Sequence, residues 1–172
     1  MLKMLSTQAS GLLQRIATNQ EDVIEESARL LAQAGIGDGV IYFACFNELQ
    51  AVEINALNAA EPFKKLLPWT KDVEITDLDR VCIFTRHANH PDALALAHAL
   101  YENFIPFAVV ASEKEEEAGE MADLAYTYIS LGINKGLLPN DLGERIVLPH
   151  TMAALFIYEA IKMSYDEMLA GL

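Results

Sequence analysis

The sequence predicts an α/β fold in three layers, with helices covering both faces of a mainly parallel sheet, and three observations carry that reading. Val40–Phe46 is a continuous apolar run, and the strands read at Asp79–Thr85 (apolar over Val81–Phe84) and Pro106–Val110 are likewise unbroken rather than alternating at their centres, as in strands buried on both faces. Helix-compatible stretches separate these runs, so the connections between parallel strands are right-handed crossovers. The length of 172 residues, with 52% hydrophobic and 22% charged, fits one globular α/β domain spanning 1–172 and leaves little room for a second.

Taken in order, residues 1–35 read as an N-terminal helical segment ahead of an α/β core at 39–169. Leu2, Leu5, Leu12, Leu13 and Ile16 line one side of a first helix, which Asn19 or its neighbours interrupt. A second helix begins near Glu21 and stops at Gly35-Ile36-Gly37-Asp38-Gly39, where glycines follow the last periodic residue. After the first strand comes a helix from Glu48 to Ala60, ended by Pro62. Val73-Glu74-Ile75 reads as an edge strand. Pro91 to Asn103 is amphipathic, Glu113 to Met121 a short acidic helix, and Ala125–Ile129 and Arg145–Leu148 are later strands. A helix from about Thr151 to Leu169 closes the core.

Composition excludes several functions. A net charge of −13, from 12 Lys and Arg against 25 Asp and Glu, repels phosphate backbones and anionic lipid heads, so neither nucleic acid nor a membrane surface is expected as partner. No apolar run approaches the roughly 20 residues of a membrane-spanning helix. The first residues carry one lysine and no small-residue cleavage site, so no signal peptide is expected and the location is read as cytoplasmic. Cys45 and Cys82 both lie inside apolar runs and read as core thiols of a reducing compartment.

Ligands of open α/β sheets bind beyond the carboxyl ends of the strands, where strand order reverses. The loops at Asn47-Glu48-Leu49-Gln50 and Thr85-Arg86-His87-Ala88-Asn89-His90 are therefore the candidates. In the second, Pro91 suits the first position of a helix, with Asn89 or His90 as its cap. Free N–H groups there, joined by Arg86, His87, His90 and the Thr85 hydroxyl, suit an anion such as phosphate. Asp92 supports the other reading, a polar turn in which an acid satisfies the same helix end. No metal site is expected, because His87 and His90 lack a clear third ligand. Nucleophile elbow, Walker loop and G-x-G-x-x-G are all missing, and no cofactor is expected.

A helical N-terminus, a glycine-preceded apolar strand, Asp79-x-Val81-x-Ile83-x-Thr85 with its polar loop and helix, Ile105–Val110, Ala122-Asp123 before a strand and a proline-led closing helix together resemble the SIS (sugar isomerase) domain. The resemblance runs roughly from Glu21 to Ile161 and is nearest the phosphoheptose isomerase branch, or a small bacterial group within it. It implies a flavodoxin-like five-stranded sheet and a homodimer or homotetramer built through the terminal helices. It further implies a phosphorylated sugar as ligand, with aldose–ketose isomerisation as the activity. The rival reading is a non-catalytic phosphosugar sensor or interaction scaffold that kept the fold.

SIS domains hold phosphate with two Ser/Thr-rich loops. On the second, the first hydroxyl falls on Thr85, the next serine position on His87, the glycine on Ala88 and the last Ser/Thr on His90. The first loop is Ala44-Cys45-Phe46-Asn47-Glu48, with Glu48 where the family places its phosphate-binding serine. That carboxylate opposes phosphate unless paired, and Arg86 is the candidate partner. The resemblance also implies a base, Glu48 or Glu53, and an acid, His150. In the alternative reading Glu48 and His150 cap their helices and Glu53 faces solvent.

Overall fold

The computed structural model describes residues 1–171. Its first element is a 35-residue helix, α1 (Leu2–Ile36), followed by strand β1 (Ile41–Cys45), a 3-10 turn over Asn47–Leu49 and helix α2 (Gln50–Asn58). Then come β2 (Leu66–Leu67), β3 (Arg80–Phe84), α3 (Pro91–Glu102), β4 (Phe107–Ala111), a 3-10 turn over Glu115–Glu117 and α4 (Glu120–Leu124). The chain closes with β5 (Thr127–Ser130), β6 (Leu138–Pro139), β7 (Arg145–Ile146) and α5 (His150–Ala170).

The continuous apolar runs become the central strands because both faces of the sheet are covered. Strand order is β2-β1-β3-β4-β5 with every pairing parallel, so the expected flavodoxin-like α/β sandwich is the fold. Side chains alternate across the sheet. Phe43, Cys45, Cys82, Phe84, Val110 and Ile129 pack with α1, α2 and α5, whereas Tyr42, Ala44, Val81, Ile83 and Val109 pack with α3 and α4. Both cysteines are free and buried, and burial raises both thiol pKa values. No helix among the described residues is long and apolar enough to cross a membrane.

Close packing explains two glycines. A Cβ on Gly35 would lie 2.3 Å from the Tyr165 hydroxyl, and one on Gly39 would lie 1.8 Å from the Leu78 carbonyl oxygen. Gly35 lets α1 and α5 meet, and Gly39 lets the chain enter β1 beside the residue that leads into β3. Lys65 Nζ donates to the carbonyls of Ala34 and Gly37, closing the end of α1.

Four elements differ from the sequence reading. The N-terminal helical pair is one uninterrupted helix, because the polar residues near Asn19 are used rather than breaking: Gln20 Oε1 accepts the Ser130 N–H at 3.0 Å. Val73-Glu74-Ile75 forms no strand, since its apolar residues pack on the α3 side of the sheet from a loop, and the edge strand is the two-residue β2. Arg145–Leu148 does not join the sheet; β7 pairs antiparallel with β6 in a separate ribbon. The acidic helix divides into a 3-10 turn and the five-residue α4, broken where Gly119 takes φ +59°.

Ser27 Oγ meets Thr127 Oγ1 at the start of β5, and Gln20 meets Ser130 at its end. Residues before Gln20 therefore project beyond the carboxyl edge of the sheet, by up to about 28 Å at 1.5 Å per residue. Leu12 and Ile16 in this overhang are buried in the same cluster as Leu137 and Leu138 of the ribbon.

Candidate functional site

The sheet reverses direction of growth at β1, so the crevice between the carboxyl ends of β1 and β3 is the switch point. Phe46 N–H donates to the Phe84 carbonyl and Thr85 N–H to that of Val110, which carries the ladder one residue past the strands and fixes where both loops begin. The first loop turns at Asn47, which adopts φ +54° and whose carbonyl accepts from Gln50 Nε2. That turn places Glu48 toward the second loop. Arg86 grips it with two bonds, Nε to Oε1 at 2.7 Å and Nη2 to Oε2, a fork-on-fork pair. The expected partnership of Glu48 and Arg86 is thus present. The Arg86 bonds hold the Glu48 carboxyl below the usual carboxylate range, and the carboxylate in turn raises the guanidinium.

His87 is held by a third strand end. Its Nδ1 lies 2.7 Å from Glu113 Oε1, while Glu113 Oε2 accepts the Ala88 N–H at 2.9 Å. With a carboxylate as acceptor, Nδ1 is the donor of this bond. Tyr128 Oη donates to the Glu113 carbonyl, steadying that residue from β5.

His150 opens α5 and caps nothing. It is only 4% exposed, its ring centroid is 6.2 Å from that of His87, and its Nε2 is buried without a hydrogen-bond partner. Burial pushes its pKa below the ordinary imidazole value; Glu48 opposes this, and His87 and Arg86 add to it. A neutral imidazole with an unused nitrogen therefore faces a carboxylate, a guanidinium and a second imidazole.

The remaining predicted residues serve the frame. His90 is the cap of α3, its Nδ1 accepting the Ala93 N–H, and its ring packs against Phe46. Thr85 is fully buried and donates its hydroxyl to the His87 carbonyl. Asn89 is exposed in the same loop. Glu53 Oε2 accepts the Trp69 N–H, which ties α2 to the following loop instead of joining the Glu48 group. Sequence reasoning missed Glu113, which it places at the start of a short acidic helix. Its place directly after a buried strand was the available signal.

Comparison with known proteins follows the same lines. A family model described as a domain of unknown function, DUF2529, matches residues 1–169. The chain belongs to this family. A relative by sequence is the uncharacterized protein YwjG of Bacillus subtilis (strain 168), 34% identical over 170 residues that cover 98% of each chain. Among solved structures, this DUF2529 chain is similar to phosphoheptose isomerase GmhA from Neisseria gonorrhoeae, at 12% identity and TM-score 0.69, covering 96% of this chain and 97% of that one. It is also similar to the Vibrio vulnificus NanR protein complexed with ManNAc-6P, at 10% identity and TM-score 0.66, covering 96% of this chain and 64% of that one. At these identities the likeness shows a shared SIS-type fold.

Proposed function

We propose that this chain binds a phosphorylated sugar at the carboxyl edge of β1 and β3 and isomerises it between aldose and ketose, in the manner of phosphoheptose-type SIS enzymes. One observation carries the reading. Glu48, Arg86, His87 and His150 come from three separate segments, and they meet where a buried imidazole nitrogen is left without a partner. The likeness in fold to proteins whose names specify a phosphoheptose isomerase and a ManNAc-6P complex supports the substrate class.

In this reading Arg86 receives the phosphate in place of the hydroxyl cradle that the loops lack. Taking Arg86 away from Glu48 frees that carboxylate and raises its proton affinity, which makes it a competent base. Glu48 removes the proton from the carbon beside the carbonyl, and His150 serves the two oxygens as the enediol forms and collapses. The proton returns to the neighbouring carbon, so no atom is gained or lost. His87, oriented by Glu113, stands beside His150 as a second proton carrier. The chain is read as a homodimer or homotetramer through its terminal helices, with the α1 overhang, where Leu2 and Met4 are exposed, as the contact.

A second reading has its own observation. The first loop has neither glycine nor serine, and the Glu48–Arg86 pair already closes the place the family gives to phosphate, as in a sensor that has lost turnover. Thermal shift with sedoheptulose, glucosamine and fructose phosphates tests binding. Saturating ligand is expected to raise Tm by about 5–10 °C, and Arg86→Ala to abolish the rise. If no phosphosugar raises Tm and Arg86→Ala changes nothing, the ligand site fails. NMR of the incubated ligand then separates the two readings. A new isomer that His150→Gln suppresses without loss of binding supports catalysis, and an unchanged ligand leaves the sensor.

A further inference from the structure

A cavity of about 570 Å³ lies away from the Glu48 group, on the β4–β5 half of the same carboxyl edge. That volume is within the 300–1,000 Å³ typical of small-molecule sites. Its wall is the α1 overhang: Leu12 and Ile16 supply apolar surface, and Arg15, Asn19 and Gln20 supply polar groups. The facing wall comes from β5 and the segments after β4 and β5, with Lys114, Tyr128, Ser130 and Asn134.

The chemistry of this lining is specific. Arg15 and Lys114 belong to none of the ion pairs among the described residues, in a chain with only 12 basic residues. Two unpaired cations facing one cavity attract an anionic group. Glu115 and Glu116 also border the space, so its charge balance is near zero and a bare dianion is poorly matched. The carboxylates accept from hydroxyls, and the side-chain amides of Asn19 and Asn134 both donate and accept. Gln20 has its oxygen occupied by the Ser130 N–H, which leaves its amide hydrogens to donate.

We infer that this cavity is a second binding site, separate from the Glu48 group, for a small polyhydroxylated ligand bearing one phosphate or carboxylate. The anionic group sits between Arg15 and Lys114, and the hydroxyls meet the amides and Glu115 or Glu116. The site stands on its own lining and not on the proposed isomerase. Its position gives it a route to the first site, since Lys114 follows Glu113, which holds His87, and Tyr128 bonds the Glu113 carbonyl.

Amide NMR shifts on the full chain test it, with glucose 6-phosphate and inorganic phosphate as probes at about 10 mM, enough to saturate a Kd near 1 mM. Glucose 6-phosphate is expected to shift the Lys114, Ser130 and Gly132 amides saturably, and inorganic phosphate to bind at least tenfold more weakly. Arg15 and Lys114 are exposed, so the Arg15→Gln/Lys114→Gln variant should keep its fold by circular dichroism and bind tenfold more weakly or worse. Arg86→Ala should leave these shifts intact. The inference is overturned if the three amides do not move, if the double variant binds as the parent does, or if Arg86→Ala abolishes the shifts. Equal binding of inorganic phosphate overturns the polyol part.

Discussion

At the amino edge of the sheet, charged side chains are bonded to backbone. Asp79 accepts the N–H groups of Val40 and Thr76, Arg80 donates to the carbonyls of Asp77 and Asp79, and Lys65 closes the end of α1. At the carboxyl edge, Glu48 and Arg86 are bonded to each other, and His87 to Glu113. Acids and bases stand at both edges, but their partners differ, although Glu113 also accepts the Ala88 N–H. A charge that satisfies a buried amide is part of the architecture, because removing it strands that amide. A charge held by another mobile charge can be handed to a ligand with little loss of fold.

The contrast sets a ranking of effects. Gly39→Ala at the amino edge drives a methyl into the Leu78 carbonyl and is expected to lower stability by about 3 kcal/mol, read from the urea midpoint. A wild-type midpoint would mean that this edge is far looser than its contacts indicate. Asp79→Ala comes next at about 2 kcal/mol, since it strands the Val40 and Thr76 amides.

A pH effect follows from His150. Its pKa is depressed in the fold, so between that value and the ordinary 6.5 the unfolded chain binds a proton that the folded chain refuses. Stability therefore rises with pH across that window and falls on acidification below about 6.5. Denaturation at a series of pH values should show this slope in the parent and a weaker one in His150→Gln; equal slopes would remove His150 as its source. Glu48 acts lower down. Its pKa is lowered by Arg86, so its contribution is complete above the usual carboxylate range and is lost as pH falls below it. Arg86→Ala and Glu48→Gln should have the smallest effect, within about 0.5 kcal/mol near neutral pH, as expected for a partly exposed ion pair. A large loss in either would class the carboxyl edge with the amino edge.

The central strands were legible because burial on both faces demands continuous apolar runs. The edge strand was not, since Leu66–Leu67 is too short to carry a period, while Val73 and Ile75 imitate one from a loop. The supposed break near Asn19 is polar for a tertiary reason, because the helix crosses the carboxyl edge there and borders the cavity. Arg86, His87, Glu48 and His150 were readable from strand ends and family pattern. Glu113 was hidden in an acidic run, and only the adjacency of β3 and β4 gives it a partner.

The long first helix also constrains the order in which the molecule can assemble. Its docking partners in β5, Thr127 and Ser130, follow the residues they meet by 100 and 110 positions, and Tyr165 of α5 comes later still. At ordinary elongation rates α1 leaves the ribosome on the order of ten seconds before them. A segment of this length can coil on its own but has nowhere to bury Ala28, Leu30 and Leu31 until the sheet and α5 have followed it. Nascent α1 is therefore a stretch for a holdase chaperone to shield, and truncations that delete α5 should precipitate rather than persist as partly folded monomers.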